Sequence, residues 1–206
     1  MLLILSQEEG ETGDDGIVAA VRGGDIDSFG ALVSRHEKKM LNIAFRMIGS
    51  YEDACEVVQD AFVSAYRNLG AFEGRSKFST WLASIVINLS RNRIQQLASH
   101  SGREAYSLDE PEYPDTGRPP RDAASTNPSA LDEMERKDVQ EAVRRCLGRL
   151  EAGFREMIVL RDLQGFSYSE IGAALNLAEG TVKSRIFRAR ETMKNCLKKL
   201  LGHGER

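Results

Sequence analysis

The stretch Phe166-Ser-Tyr-Ser-Glu-Ile-Gly-Ala-Ala-Leu-Asn-Leu-Ala-Glu-Gly-Thr-Val-Lys-Ser-Arg-Ile-Phe-Arg-Ala-Arg190 decides the fold. Ser167 and Glu170 have the spacing of a capping box, in which the hydroxyl and the carboxylate each satisfy an unpaired amide of the first turn. They open a short helix, Tyr168 to Leu175, with Ile171, Ala174 and Leu175 inward. A break at Asn176 to Ala178 is as short as the turn of a helix-turn-helix, and a long helix runs from Glu179 to about Leu201. Gly172 and Ala173 are small where the two helices must approach, and Leu177 and Val182 close the angle between them. Val182, Ile186 and Ala189 turn inward on the second helix, which leaves Thr181, Lys183, Ser184, Phe187 and Arg188 outward. A recognition helix sets such residues against base edges while its flanks hold phosphate. Arg188 is the candidate for a bidentate guanine bond, Phe187 for a thymine methyl and Ser184 for either. Lys183, Arg185 and Arg190 are candidates for phosphate.

Around this motif the chain reads as all-α. Stripes at three- and four-residue steps run from Asp25 to Ile48 (Phe29, Leu32, Val33, His36, Met40, Ile43, Ala44, Met47) and from Ser50 to Leu69 (Ala54, Val57, Val58, Ala61, Phe62, Ala65, Tyr66, Leu69). A helix is expected before them from Asp14 to Gly23, with the Asp14–Asp15 pair favouring its N-terminal dipole. Others are expected from Ser76 to Gln96, Leu131 to Leu150 and Phe154 to Leu163, and strand signals are missing. All five prolines lie between Pro111 and Pro128, in a segment with Asp109, Glu110, Glu112, Asp115 and Asp122. Proline removes a backbone donor, so helices stop there, and a flexible linker between two small helical domains is expected. The domains are an acidic tail over 1–13, a helical domain over 14–98, the linker over 99–130 and the helix-turn-helix domain over 131–206.

Net charge is −3, from 28 basic and 31 acidic residues, so overall charge does not advertise a polyanionic partner. Its distribution does: Lys183 to Lys199 holds seven Lys or Arg and one acid, Glu191. Cys55, Cys146 and Cys196 are odd in number and far apart, and the three histidines have no ligand spacing. Neither a disulfide framework nor a metal site is expected, no cofactor is implied, and a reducing cytoplasm fits. No apolar run approaches the roughly 20 residues that span a bilayer, so no membrane insertion is expected.

With these motifs in order, the chain resembles the extracytoplasmic-function (ECF) sigma factors of bacteria. Phe166–Gly172 and Glu179–Arg190 resemble their region 4. Asp53-Ala-Cys-Glu-Val-Val-Gln-Asp-Ala-Phe62, Phe78-Ser-Thr-Trp-Leu82 and Asn88 resemble their region 2. The likeness is nearest to the envelope-stress sigma-E branch, chiefly in the recognition helix. It implies a factor that binds core RNA polymerase through the β′ clamp helices and the β flap, recognises −35 and −10 promoter elements and helps open the duplex. Stress-response duty and an anti-sigma partner are implied with it.

The residues support each step on their own chemistry. Asp53, Glu56, Gln59 and Asp60 lie opposite the apolar stripe of their helix, an acidic and amide-bearing face suited to a basic coiled coil or simply to solvent. Phe72, Arg75, Lys77, Trp81, Asn88 and Arg91 supply the rings, cations and amide that unpaired bases require. Phe72 and Lys77, beside the turn, are favoured for the strand, whereas Phe78 and Trp81 also fit a core face. A response regulator would need an α/β receiver domain, which the helical N-terminal half contradicts. P-loop, G-x-S-x-G and H-E-x-x-H patterns are missing, so no enzyme is expected.

Overall fold

The computed structural model describes residues 9–101 and 130–202; most of the expected linker and of the acidic tail lies outside them, and residues 99–101 and 130, expected in the linker, belong to helices. The described residues are helical: α1 (Glu9–Arg22), α2 (Phe29–Ile48), α3 (Tyr51–Arg67), α4 (Phe78–Ser101), α5 (Ala130–Arg149), α6 (Ala152–Ile158), α7 (Tyr168–Leu175) and α8 (Glu179–Leu201). The α2, α3 and α4 helices pack mutually into the N-terminal domain, with α1 laid against α2. Leu32, Met40, Ile43, Met47, Leu82 and Ile87 fill its centre. The α5, α6 and α7 helices surround α8 in the C-terminal domain, where Met157, Leu160, Ile171 and Ile186 are fully buried.

Local chemistry explains most of the ends. Gly49 closes α2 at φ 91°, a left-handed conformation that costs glycine nothing. Asp25 caps a 3₁₀ turn, Ile26–Ser28, that separates α1 from α2, so the second helix starts four residues later than the apolar pattern predicts. Ser50 caps α3 through the Asp53 amide, but the Asp53 carboxylate does not return the bond and turns to α4 instead. The expected helix 154–163 is α6 followed by one π turn, Val159–Leu163.

Two expectations are overturned. Asp14 is not a dipole-facing surface carboxylate. It is 3% exposed and holds Arg35 (2.5 Å) and His36 (2.7 Å) on α2. A carboxylate enters a core only with such partners, and the match of α1 to α2 supplies them. Cys146 and Cys196 are joined in a disulfide, with Cα atoms 5.7 Å apart and a sequence separation of 50. Side-by-side packing of α5 and α8 brings together two positions whose separation along the chain gives no hint of proximity. Cys55 alone is a free, exposed thiol.

The two domains touch: α4 packs on α7, and α2 on α5, α6 and the π turn. Arg155 on α6 donates from Nη1 to the Met47 carbonyl (2.5 Å) and from Nη2 to the carbonyls of Gly148 (2.7 Å) and Leu150 (3.1 Å). One guanidinium thereby serves the C-terminal ends of α2 and α5, one from each domain, where carbonyls lack helical donors.

Candidate nucleic-acid interface

The capping box forms in full, with the Glu170 amide on Ser167 Oγ (3.1 Å) and the Ser167 amide on Glu170 Oε2 (2.7 Å). Asn176 takes the left-handed conformation, φ 52°, at the C-terminal end of α7, and the Leu177 amide returns to the Gly172 carbonyl. A Cβ on Gly172 would stand 2.8 Å from the Leu177 carbonyl oxygen, so this crossing admits hydrogen only. Ala173, expected at the same crossing, is exposed, and Ala174 is the buried alanine. This turn fixes the angle at which α8 leaves the domain.

The α8 helix buries Val182, Ile186, Ala189 and Met193 and presents the opposite face to solvent. Phe187 is 69% exposed, a full aromatic ring left in water on a polar face. Arg185 and Arg188 are exposed as well, and neither meets a carboxylate among the described residues. The other candidates are engaged. Lys183 pairs with Glu179 (2.7 Å), which with its hydrogen bond holds the ammonium more firmly charged. Arg190 forms a two-point pair with Asp162 (3.1 and 2.5 Å), and Ser184 Oγ donates to the Thr181 carbonyl. Thr181 is half-buried. The open part of the face is therefore Arg185, Phe187 and Arg188.

In the N-terminal domain the turn after α3 and the start of α4 gather three rings. Phe72 lies 5.0 Å from Trp81 and 6.0 Å from Phe78, and Phe78 lies 5.8 Å from Trp81. Sequence alone favours Phe72 for the strand and leaves Trp81 open to a core role; the placement reverses that. Phe72 is 5% exposed and Phe78 is 1% exposed, whereas Trp81 is half-buried. The hydrophobic ring beside the turn folds under and supports the indole, because the backbone there is pinned from below. Arg22 at the end of α1 donates to the Leu69 carbonyl (3.0 and 2.9 Å) and to the Phe72 carbonyl, and its guanidinium stands over the Phe72 ring. No periodicity or motif connects Arg22 to residues 69–72, so nothing local in the chain signals the contact.

Arg75 is exposed and paired with neighbouring Glu73. Asn88 is exposed and accepts from Arg91 (3.3 Å). Arg91 and Lys77 both reach into the C-terminal domain. Arg91 forms a two-point pair with Glu156 (2.5 and 2.6 Å), which holds its guanidinium charged against the cost of partial burial. Lys77 lies 3.3 Å from Glu170. Burial pushes the Glu170 carboxyl up, but bonds from the Ser167 amide and hydroxyl and from Lys77 outweigh it and hold the group below its ordinary value.

On α3, Glu56, Gln59 and Asp60 are exposed. Asp53 is half-buried: Arg93 donates to it from Nε at 2.6 Å and to Glu56 at 2.9 Å. The Asp53 bond is the main cause of the raised Arg93 pKa. Asp53 thus couples the α3 face to α4, and the outer part of the face is Glu56, Gln59 and Asp60.

Residues 32–100 match the family model for sigma-70 region 2, and residues 140–193 match that for sigma-70, region 4. The RNA polymerase sigma-H factor of Pseudomonas aeruginosa is 32% identical over 198 residues, 96% of this chain and 98% of that protein. The ECF RNA polymerase sigma-E factor of Escherichia coli K12 is 35% identical over 188 residues, covering 91% and 96%. Among solved structures, the complex of CnrH with the cytosolic domain of CnrY matches with TM-score 0.60 and 30% identity, over 89% of this chain and 96% of that one. The sigma factor RpoE of Bartonella quintana, solved with the anti-sigma factor NepR, matches with TM-score 0.57 and 25% identity, over 86% and 98%.

Proposed function

Because the chain belongs to the sigma-70 family of RNA polymerase sigma factors, in its ECF branch, we propose a division of labour among the surfaces described above. The domain over 14–98 docks on the β′ clamp helices of core polymerase through Glu56, Gln59 and Asp60, with Asp53 setting the face. It holds the −10 element through Trp81, Asn88, Arg91, Lys77 and Arg75, with Phe72 packed beneath the indole. The domain over 131–206 contacts the β flap and reads the −35 element through Arg185, Phe187 and Arg188 at base edges or phosphate. Lys183 and Arg190 serve phosphate after exchanging their carboxylate partners, and Thr181 and Ser184 border the contact. The segment 99–130 links the domains. The protein acts in the cytoplasm by binding rather than catalysis, in a stress response and under an anti-sigma factor.

The observation that carries this reading is the open face of α8, where a ring 69% exposed shares a solvent-facing surface with Arg185 and Arg188, on a helix-turn-helix whose first helix carries a complete capping box. An apolar ring in water at a helix surface is costly unless a partner covers it, and a thymine methyl is of the right size and polarity. Run-off transcription with core polymerase, from a sigma-E-type promoter, tests the whole. Addition of this chain should start transcription that core alone does not; no gain, with tight and specific duplex binding by the free chain, would establish a conventional regulator instead.

One residue-level result distinguishes base readout from phosphate contact. Arg188→Ala should cost about 1–3 kcal/mol at a single −35 base pair and relax specificity there. Binding measured across all substitutions of the −35 element decides it, because a uniform loss would make Arg188 a phosphate contact.

A further inference from the structure

The loop over residues 73–77, which carries Arg75 and Lys77 at the surface, is held between two anchors. Downstream, the Lys77 carbonyl accepts from the Thr80 and Trp81 amides as α4 begins, and Phe78 enters the core. Upstream, the chain passes through a 3₁₀ turn, Leu69–Ala71, and buries the Phe72 ring. Gly74 takes φ 71° between them, a conformation that a side chain would strain. The upstream anchor is completed from a distant part of the chain. Arg22, the last residue of α1, donates from Nε (3.0 Å) and Nη2 (2.9 Å) to the Leu69 carbonyl. Its Nη2 also donates to the Phe72 carbonyl, and the guanidinium stands 5.8 Å from the centre of the Phe72 ring.

Arg22 reaches the loop from a fixed point. Val18 and Val21 bury one side of α1 in the core, and Asp14 ties the helix to Arg35 and His36. The donors of a guanidinium lie in one plane, so its fork holds two carbonyls at a set spacing in a way that an ammonium does not. The ring beneath which it acts is the one that supports the indole, with Phe72 5.0 Å from Trp81. Arg22 therefore sets both the direction in which the loop leaves the domain and the platform on which Trp81 rests. The side chain itself lies at the surface, so its work is geometric and adds little to the core. It also lies outside residues 32–100, the part matched to sigma-70 region 2.

We propose that Arg22 is a positioning residue for promoter opening: by fixing the Leu69 and Phe72 carbonyls it holds the loop 73–77 and the face of Trp81 in the geometry that captures the separated −10 strand. This rests on the assignment of Arg75, Lys77 and Trp81 to the −10 element. Arg22 itself touches no DNA. Without its bonds the loop keeps every residue but takes several directions. The strand is then held only by the correctly placed fraction, and apparent affinity falls by that fraction. Docking through α3 and reading through α8 use other surfaces and are unaffected.

The test uses holoenzyme assembled with the full-length Arg22→Ala chain and two forms of one sigma-E-type promoter, one fully duplex and one held open across the −10 element by mismatches. Run-off from the duplex should fall about tenfold, as misplacement of a binding group does. Run-off from the opened template should stay within about threefold of wild type, because strand separation is already supplied. Trp81 is the one tryptophan of the chain, so quenching of its emission by acrylamide reads the platform directly. Quenching should rise in Arg22→Ala while helical circular dichroism and the unfolding midpoint stay unchanged. Arg22→Lys, which restores the charge without the planar fork, should recover only part of the duplex activity. Duplex run-off within about twofold of wild type, with unchanged quenching, would overturn the proposal, as would an equal loss on both templates, the mark of a folding or core-binding defect. If Arg22→Ala does not fold, Arg22→Met keeps the aliphatic stem and removes the donors. A loss confined to the duplex then supports positioning, and full activity overturns it. Failure of the wild-type chain to support run-off from either template would instead defeat the underlying sigma reading, so the two failures are distinct.

Discussion

Reducing the Cys146–Cys196 disulfide should destabilise the C-terminal domain by about 4 kcal/mol. The bond closes a loop of 50 residues, and the chain entropy it withholds from the unfolded state is of that size. The loop contains α6, α7 and most of α8, so the tie encloses the whole helix-turn-helix. Cys146 is fully buried against the core, and the bond fixes α5 along the far half of the reader helix. Guanidinium unfolding of the full chain, with and without dithiothreitol, measures the effect. The midpoint of the C-terminal transition should fall on reduction, and the double variant Cys146→Ala, Cys196→Ala should start near the reduced value and ignore the reductant. A midpoint that dithiothreitol leaves unmoved would show that the bond adds nothing. In a reducing compartment both sulfurs are thiols, so the contrast also sets how much stability this domain holds inside and outside such an environment.

Phe78→Ala should be equally severe in the N-terminal domain, at about 3–5 kcal/mol. The ring is 1% exposed and stands among Phe72, Trp81 and His36, the last at 5.5 Å. Its removal opens a cavity among His36, Phe72 and Trp81 and deprives the indole of support. Two readouts should move together: the unfolding midpoint of the domain, and run-off activity at temperatures where the fold survives. A loss of less than about 1 kcal/mol would mean that the neighbours collapse into the space, and the aromatic cluster would not be the keystone that its burial indicates.

The helix-turn-helix was legible because its signals are local. Ser167 and Glu170 are one turn apart, Asn176 tolerates a left-handed backbone, and Gly172 meets the Leu177 carbonyl only five residues later. The inward and outward faces of α8 follow from a 3.6-residue period alone, and the structure buries Val182, Ile186 and Ala189 as that period requires. The stripes on α2 and α3 were read the same way, with Tyr66 as the one member left exposed. Less was legible in the N-terminal site, where three aromatics close together in sequence do not reveal which ring the backbone folds under. Arg22, which pins that backbone from a different helix, made the choice.

The amino-acid sequence by itself determined the helices, the capping box of α7, the order of the two domains and the reading face of α8, because each depends on residues close to one another along the chain. Tertiary structure alone decided which charges remain available. Asp14 is consumed by Arg35 and His36, Asp53 by Arg93, Arg190 by Asp162 and Arg91 by Glu156, and Cys146 is joined to Cys196. Every one of these pairs crosses between helices. Hydrophobic periodicity states that a face is buried but not against which partner, and a charged side chain is long enough to choose among several neighbours. The exposed face around Phe187 was written in the sequence; the occupation of Arg91 and Lys77 by the opposite domain was settled only when the helices packed.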